Sequence, residues 1–186
     1  MDHHPALGEM DESEGEFWIS NPWLSGGRNL SAYERNGVAL NVGEGKFVDL
    51  SYFSGADLDS DSRTAVVADF NEDGMPDLLV RSTGGGAVRV FENRMPKKNW
   101  LAVRLRGVRS NRFGIGAKLK LEAGGKTLHR ELHPQNNYQS QTPCRVHFGM
   151  GEAAEVERLT ILWPSGAEQV LEKVAINQLL TVEEPQ

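Results

Sequence analysis

Short runs of alternating apolar and polar residues dominate the chain and predict β-strands. In Trp100–Leu105, Ala117–Leu121 and Leu159–Trp163 every second residue is apolar. Successive side chains of a strand point to opposite faces, so this period of two predicts strands with one buried face. Further strands are predicted at Val38–Val42, Phe47–Val48, Thr64–Ala68, Asp77–Arg81, Val88–Phe91, Thr127–Leu132, Arg145–Phe148, Glu168–Leu171 and Gln178–Val182.

Glycine-rich turns separate these strands. Gly43-Glu44-Gly45, Gly84-Gly85-Gly86 and Gly124-Gly125 each lie between two of them. Strands of about five residues that recur every 8–12 residues are typical of a sandwich or barrel. The sequence therefore predicts an all-β fold, in which a single propeller-like blade or hairpin unit packs on an antiparallel β-sandwich or barrel.

Changes in composition along the chain predict three segments. Residues 1–30 are an acidic lead-in whose aromatic residues, including Trp18 and Trp23, are expected to dock on the body of the protein. Residues 31–96 form the blade-like unit. The polar stretch Met95–Asn99 contains a proline and lacks periodicity, which is typical of a domain boundary. Residues 97–186 then form the sandwich.

Composition excludes several classes of protein. A net charge of −6 argues against a nucleic-acid partner. No apolar run approaches the roughly 20 residues that a membrane-spanning helix needs. The chain starts without the basic and then apolar order of a signal peptide, so an exported form would come from a longer precursor. The single cysteine, Cys144, argues against a disulfide framework and is expected to be a small buried side chain.

The strongest chemical signal is the nine-residue segment Asp69–Asp77. Oxygen-bearing side chains recur at positions 1, 3, 5 and 9, and Gly74 at position 6 permits a sharp turn. Calcium prefers six to eight oxygen ligands. Three carboxylates repel one another until a cation neutralises them. The segment therefore predicts one structural Ca²⁺, with ligands from Asp69, Asn71, Asp73, the backbone carbonyl of Met75, and Asp77.

Other interpretations of acidic segments are weaker. An EF-hand needs a glutamate at position 12 and flanking helices, but position 12 is Val80 and both flanks are strand-like. An acidic turn that only solvates a hairpin is the simplest alternative. The run Asp57-Leu58-Asp59-Ser60-Asp61 lacks a glycine and a closing ligand, so it is interpreted as a solvated loop.

Two stretches resemble known families. Ala68–Gly74 with Asp77-Leu78 resembles an FG-GAP/VCBS repeat, the calcium-loop blade of integrin-type propellers. Residues 97–185 resemble the ASPIC/UnbV domain, which commonly follows such repeats in secreted proteins. The pieces that carry this second resemblance are Asn99-Trp100-Leu101, Ser110–Ala117, Tyr138–Gln141, His147–Gly151, Trp163–Gly166 and Asn177-Gln178. The resemblance implies an extracellular, periplasmic or cell-surface location as part of a longer protein.

A cationic surface is predicted next to the boundary. Arg104 and Arg106 alternate with apolar residues on one strand, and Lys118 and Lys120 do so on another. If the two strands are neighbours, the four cations form one outer patch that could bind an acidic polysaccharide or a protein's acidic segment. The simpler interpretation is a solvated sheet exterior.

Catalytic patterns are weak. His129 and His133 would lie about 13 Å apart along a strand, too far to share one zinc ion. No Gly-x-Ser-x-Gly elbow surrounds Ser165. Cys144 and His147 point to opposite faces of a strand, and His147 is expected to be packed or hydrogen-bonded. A glycosidase carboxylate pair is not recognisable, because its acids come from distant strands.

These patterns lead to one functional hypothesis and two alternatives. The hypothesis is a non-catalytic, calcium-binding interaction or adhesion-type module whose partner is a protein or an acidic polysaccharide. The first alternative is an accessory domain of a larger enzyme. The second is a carbohydrate-binding sandwich that uses Trp23 or Tyr138 as an aromatic platform.

Overall fold

The computed structural model describes residues 35–58, 62–82, 87–135, 138 and 140–186. These residues form β-strands and one short helix. In chain order the elements are β1 (Ala39–Gly43), β2 (Lys46–Asp49), α1 (Ser51–Ser54), β3 (Ser62–Ala68), β4 (Asp77–Ser82), β5 (Arg89–Phe91), β6 (Asn99–Arg106), β7 (Lys118–Ala123), β8 (Lys126–Glu131), β9 (Val146–Gly151), β10 (Val156–Leu162), β11 (Glu168–Val174) and β12 (Gln178–Glu183).

The all-β prediction is confirmed, and each predicted strand overlaps an observed one. The helix α1 was missed, because four residues are too few to show a helical period. Asp49 holds its first turn by accepting a hydrogen bond from the backbone N–H of Ser51 (2.8 Å). The predicted lead-in 1–30 with Trp23, the turn at 84–86 and most of the second acidic run, 59–61, lie outside the described residues.

The described residues fall into two compact units. The first contains the described residues up to Val66 together with Leu78–Glu92. Its β1 and β2 form an antiparallel hairpin, and β3, β4 and β5 form a sheet in that order. The second unit contains Val67–Asp77 and Asn93–Gln186, so the segment Asp69–Asp77 clusters with the C-terminal residues.

The second unit is built from two open sheets. One has the order β11-β10-β7-β8, and the other has the order β12-β6-β9. Neighbours in the four-stranded sheet are antiparallel. In the other sheet β12 runs parallel to β6, which departs from the wholly antiparallel arrangement predicted. The described strands do not close into a barrel.

One apolar core lies between these two sheets. It is built from the alternating positions that the sequence identified, such as Leu101 and Val103 of β6, Leu119 of β7 and Ile161 of β10. Because β6 alternates, its other face carries Trp100, Ala102, Arg104 and Arg106. The candidate loop, Asp69–Asp77, is held against Trp100.

The predicted four-cation patch depended on β6 and β7 being neighbours, and they are not. Strand β6 pairs with β12 and β9, whereas β7 pairs with β10 and β8. Arg104 and Arg106 therefore lie on one sheet, and Lys118 and Lys120 lie on the other. Lys120 also pairs with Glu122 (2.5 Å). The sequence shows that both strands alternate, but not which strands are adjacent.

Candidate metal loop and adjoining cleft

The loop between β3 and β4 is closed by its first carboxylate. Oδ1 of Asp69 accepts a hydrogen bond from the backbone N–H of Asp73 (3.1 Å), and Oδ2 accepts one from Gly74 (2.9 Å). Asp69 is only 6% exposed. A buried carboxylate is tolerated only when it is paired or hydrogen-bonded, so these bonds fix the curl of the loop around the aspartate.

The last carboxylate closes the loop from the other end. Oδ2 of Asp77 accepts a hydrogen bond from the backbone N–H of Phe70 (3.0 Å), and Oδ1 accepts one from Asn93 (2.8 Å). Asn93 also donates from its side chain to the carbonyl of Pro76 (3.1 Å). Asp77 is 3% exposed. Both ends of the loop are therefore anchored by buried acidic side chains.

The middle of the loop carries the more accessible oxygens. Oδ1 of Asn71 accepts from the N–H of Asp73 (3.1 Å), and Oδ1 of Asp73 accepts from the N–H of Met75 (2.9 Å). The ammonium of Lys97 lies 3.2 Å from Oδ2 of Asp73. The N–H of Met75, and then Lys97, lower the pKa of Asp73. This carboxylate is therefore charged at neutral pH and already attracts a cation.

Glycine at position 6 is required by both backbone and packing. Gly74 has φ +90°, a conformation that L residues rarely adopt. A β-carbon there would lie 1.9 Å from Nε1 of Trp100. The loop thus approaches the sheet so closely that only a hydrogen atom fits between the backbone of Gly74 and the indole.

Two side chains at the N-terminal end of β9 hold the loop in place: Arg145, directly before the strand, and His147, within it. Arg145 donates a hydrogen bond to the backbone carbonyl of Asp69. His147 lies 3.1 Å from the carbonyl of Gly74. Because a carbonyl only accepts, Nε2 of His147 carries the hydrogen. The imidazole is also stacked on Trp100, with ring centroids 5.8 Å apart.

The imidazole of His147 stays neutral at pH 7. Burial lowers the pKa of His147. The Gly74 carbonyl and the charge of Asp69 raise this pKa, but their effect is smaller than that of burial. A neutral ring keeps one hydrogen for Gly74 without adding a positive charge beside the loop. His147 therefore acts here as a packed, hydrogen-bonded support, as the sequence predicted for it.

The donor chemistry of the loop is that of a hard cation such as calcium. Its side chains offer carboxylate and amide oxygens, the ligands of a hard cation. Most carboxylate oxygens accept one N–H each, which leaves a lone pair for an ion. Among the residues that the structure describes, no three acidic, histidine or cysteine side chains converge on a common point. Most of the side-chain oxygens accept hydrogen bonds from the loop's own N–H groups.

A cleft of about 750 Å³ opens beside the loop. Asp69, Glu72 and Pro76 of the loop form part of its wall, together with Trp100, Arg130 and Arg145. Glu72 lies 3.8 Å from Arg145. A cleft of this size is within the range of ligand-binding sites in proteins. The same loop that would hold an ion therefore shapes a surface large enough for a ligand or for a partner's side chains.

The sequence located the loop but missed its supports. The predicted ligands lie along the connection from β3 to β4, which ends at Asp77, the first residue of β4; their binding of a metal stays a prediction. The residues that support the loop carry no local signal for this role; they are Asn93, Lys97, Arg145 and His147. Their role follows from tertiary packing alone.

Comparison with known families gives two matches. Residues 62–91 match the FG-GAP repeat, and residues 107–186 match the family described as ASPIC and UnbV. Both resemblances, and their order along the chain, are therefore confirmed. No protein among the curated ones matches the chain.

The two families define the general context of the chain. Domains of both kinds are typical of extracellular or surface proteins and are generally non-catalytic. FG-GAP repeats are protein-interaction modules. Within the part of the chain that the structure describes, no helix is both long and apolar enough to cross a membrane.

Proposed function

We propose that this chain, which carries an FG-GAP repeat followed by an ASPIC/UnbV domain, is a non-catalytic, calcium-binding interaction module of an extracellular or surface protein. The observation that supports the proposal best is the position of the loop Asp69–Asp77. The five ligands predicted on it would all bind a metal through oxygen, and residues of the loop form part of the wall of the cleft.

Charge supports calcium as the ion. Asp69, Asp73 and Asp77 bring three negative charges into one short turn. The ammonium of Lys97 offsets part of this charge at Asp73. That lysine is largely exposed, so the pair contributes little. A divalent cation with several oxygen ligands would replace it readily.

The proposed role of the ion is structural. Asp69 and Asp77 stand at the two ends of the loop, and Asn71, Asp73 and the carbonyl of Met75 lie between them. An ion bound by all five would tie the ends together and stiffen the wall of the cleft. Binding of a partner in the cleft would then depend on calcium.

A protein is the partner that the observations favour. FG-GAP repeats are protein-interaction modules. The cleft is lined by Trp100, Arg130 and Arg145, and aromatic and arginine side chains are enriched at protein interfaces. An acidic polysaccharide loses its main support, because the four predicted cations lie on two different sheets. The alternatives of an enzyme accessory domain and of a glycan platform at Tyr138 stay predictions.

Calorimetry of calcium binding tests the proposal. Chelator-treated protein titrated with CaCl₂ should bind one ion, with a dissociation constant of about 10⁻⁴–10⁻³ M for an extracellular module. Asp73→Ala should weaken binding about tenfold or more, because the charge and number of ligands set the affinity. Glu72→Ala removes a neighbouring carboxylate that is not a predicted ligand, so it should bind like the parent.

Two results would contradict this proposal. Absence of binding heat, together with an unchanged melting temperature in millimolar calcium, would exclude the metal. Equal weakening by Asp73→Ala and Glu72→Ala would mean that the loop attracts cations only through its overall charge.

A further inference from the structure

A buried carboxylate outside the candidate loop lies directly after β12, at Glu184. Val182 and Glu184 are both buried, whereas Glu183 between them is exposed. The backbone N–H of Glu184 donates to the carbonyl of Arg106 (2.9 Å), which continues the pairing of β12 with β6. Glu184 therefore occupies a core-facing position where the pattern of the strand calls for an apolar residue, and it is only 2% exposed.

Three consecutive backbone N–H groups converge on one oxygen of this carboxylate. Val108, Arg109 and Ser110 donate to Oε2 of Glu184 over 2.8, 2.8 and 2.7 Å. These residues follow β6 after a single residue, Gly107. Successive N–H groups that point into one concavity form a nest, which binds anions through the aligned backbone dipoles.

Two hydroxyl groups complete the site at the other oxygen. The side chains of Ser110 (2.7 Å) and Ser165 (2.5 Å) donate to Oε1 of Glu184. The backbone N–H of Ser165 in turn donates to the hydroxyl oxygen of Ser110 (3.1 Å). Burial raises the pKa of Glu184, because it disfavours the charged form. The hydrogen bonds have a larger combined effect in the opposite direction and lower the pKa of the carboxyl to about 2. The site is therefore built for a carboxylate ion.

We propose that the segment Val108–Ser110 and Ser165 form a carboxylate-binding nest, which the chain fills with its own Glu184. The occupant locks the C-terminal strand onto the turn after β6. The specificity resides in the donors, so the nest accepts a free small carboxylate when the glutamate side chain is removed. This assigns a structural role to Ser110 and Ser165, which belong to the motifs Ser110–Ala117 and Trp163–Gly166.

Chemical rescue tests this proposal on the full chain. Glu184→Ala removes the –CH₂–COO⁻ group beyond the β-carbon, which has the size and charge of acetate. The variant should melt at a lower temperature than the parent. Sodium acetate at 200 mM should stabilise it relative to the same concentration of NaCl. If acetate binds with a dissociation constant of about 20 mM, the ratio of folded to unfolded protein rises about tenfold.

Three controls separate the nest from general effects. Acetamide has the shape of acetate without its charge and should not rescue Glu184→Ala. The parent protein should not respond to acetate, because its nest is filled. Glu183→Ala removes the exposed neighbouring carboxylate and should show neither the loss nor the rescue.

Each outcome bears directly on the proposal. Rescue of Glu184→Ala by acetate alone supports it, whereas no rescue or equal rescue by acetamide overturns it. If Glu184→Ala does not fold, Glu184→Gln keeps the shape and removes the charge. A Gln variant as stable as the parent at pH 7 would overturn the proposal, and a lower melting temperature would support it.

Discussion

Replacing Gly74 by alanine tests how the candidate loop is seated against the sheet. Gly74 has φ +90°, and an added β-carbon would lie 1.9 Å from Nε1 of Trp100. The side chain of Trp100 cannot easily withdraw, because its ring is stacked on His147. The backbone N–H of Trp100 also donates a hydrogen bond to Oδ1 of Asn177. Gly166 provides a matched control in the same unit, since it has φ +89° with no atom near its would-be β-carbon.

The two glycines allow the backbone and packing effects to be separated. Alanine at either site is strained by the positive φ, which costs about 1–2 kcal/mol. Only Gly74→Ala adds a collision with a ring, and overpacking of this kind costs about 1–3 kcal/mol more. The difference between the variants corresponds to a melting temperature lower by about 2–12 °C for a chain of this size.

The measurement is thermal and urea unfolding of both variants, followed by near-ultraviolet circular dichroism of the aromatic side chains. Gly74→Ala should unfold at a lower temperature than Gly166→Ala, and both should unfold below the parent. Equal losses would refute the reasoning, because they would mean that the loop moves away from Trp100 without penalty.

A double-mutant cycle isolates the contact itself. Adding Trp100→Ala removes the ring that obstructs the new methyl group at position 74. The double variant should therefore be more stable than the sum of the two single effects predicts, with a coupling of about 0.5–3 kcal/mol. Strict additivity would show that the indole does not confine Gly74.

Three further predictions concern charge and packing. Lys97→Ala removes the ammonium beside the loop and should lower the dissociation constant for calcium about 1.4- to 5-fold, because an exposed ion pair no longer competes with the ion. Lys98→Ala should leave the dissociation constant unchanged in the same titration. The pKa of Glu184 is lowered from 4.5 to about 2 in the folded protein, so its contribution to stability is complete above about pH 5 and is lost as the pH falls toward 2. The difference in melting temperature between the parent and Glu184→Gln should therefore shrink over that range, and a difference that is constant from pH 6 to pH 2 would refute the assignment. Phe148→Ala empties a fully buried position and should lower the free energy of unfolding by about 3–5 kcal/mol, whereas Tyr52→Ala, at a site 84% exposed, should change it by less than about 0.5 kcal/mol in urea titrations.

Much of the fold could be predicted because its signals are local. A strand with one buried face repeats its apolar residues every two positions, so Leu101, Val103 and Leu105 revealed β6 and its inner face. The loop Asp69–Asp77 was recognisable because oxygen donors and Gly74 occur at fixed spacing within nine residues. Strand adjacency gives no such signal, and for that reason the grouping of Arg104 and Arg106 with Lys118 and Lys120 was wrong.

The supports of the candidate site could not be predicted for a related reason. Arg145 and His147 are separated from Asp69 and Gly74 by more than 70 residues along the chain. They contact the loop only because Arg145, directly before β9, and His147, on the outer face of β9, both lie beside it. Glu184 carries no signal in the sequence that separates it from its neighbour Glu183, yet it reaches the turn after β6 because β12 lies parallel to that strand.

The sequence by itself determined the all-β class, the alternation that builds the core, the oxygen donors of the candidate loop and the order of the two family domains. Each of these depends on residues that are neighbours in the chain. The tertiary structure decided which strands pair, which side chains hold the loop, and which carboxylate is buried in the nest of N–H groups. Those features depend on distances between remote residues, and such distances exist only once the sheets have packed around their core.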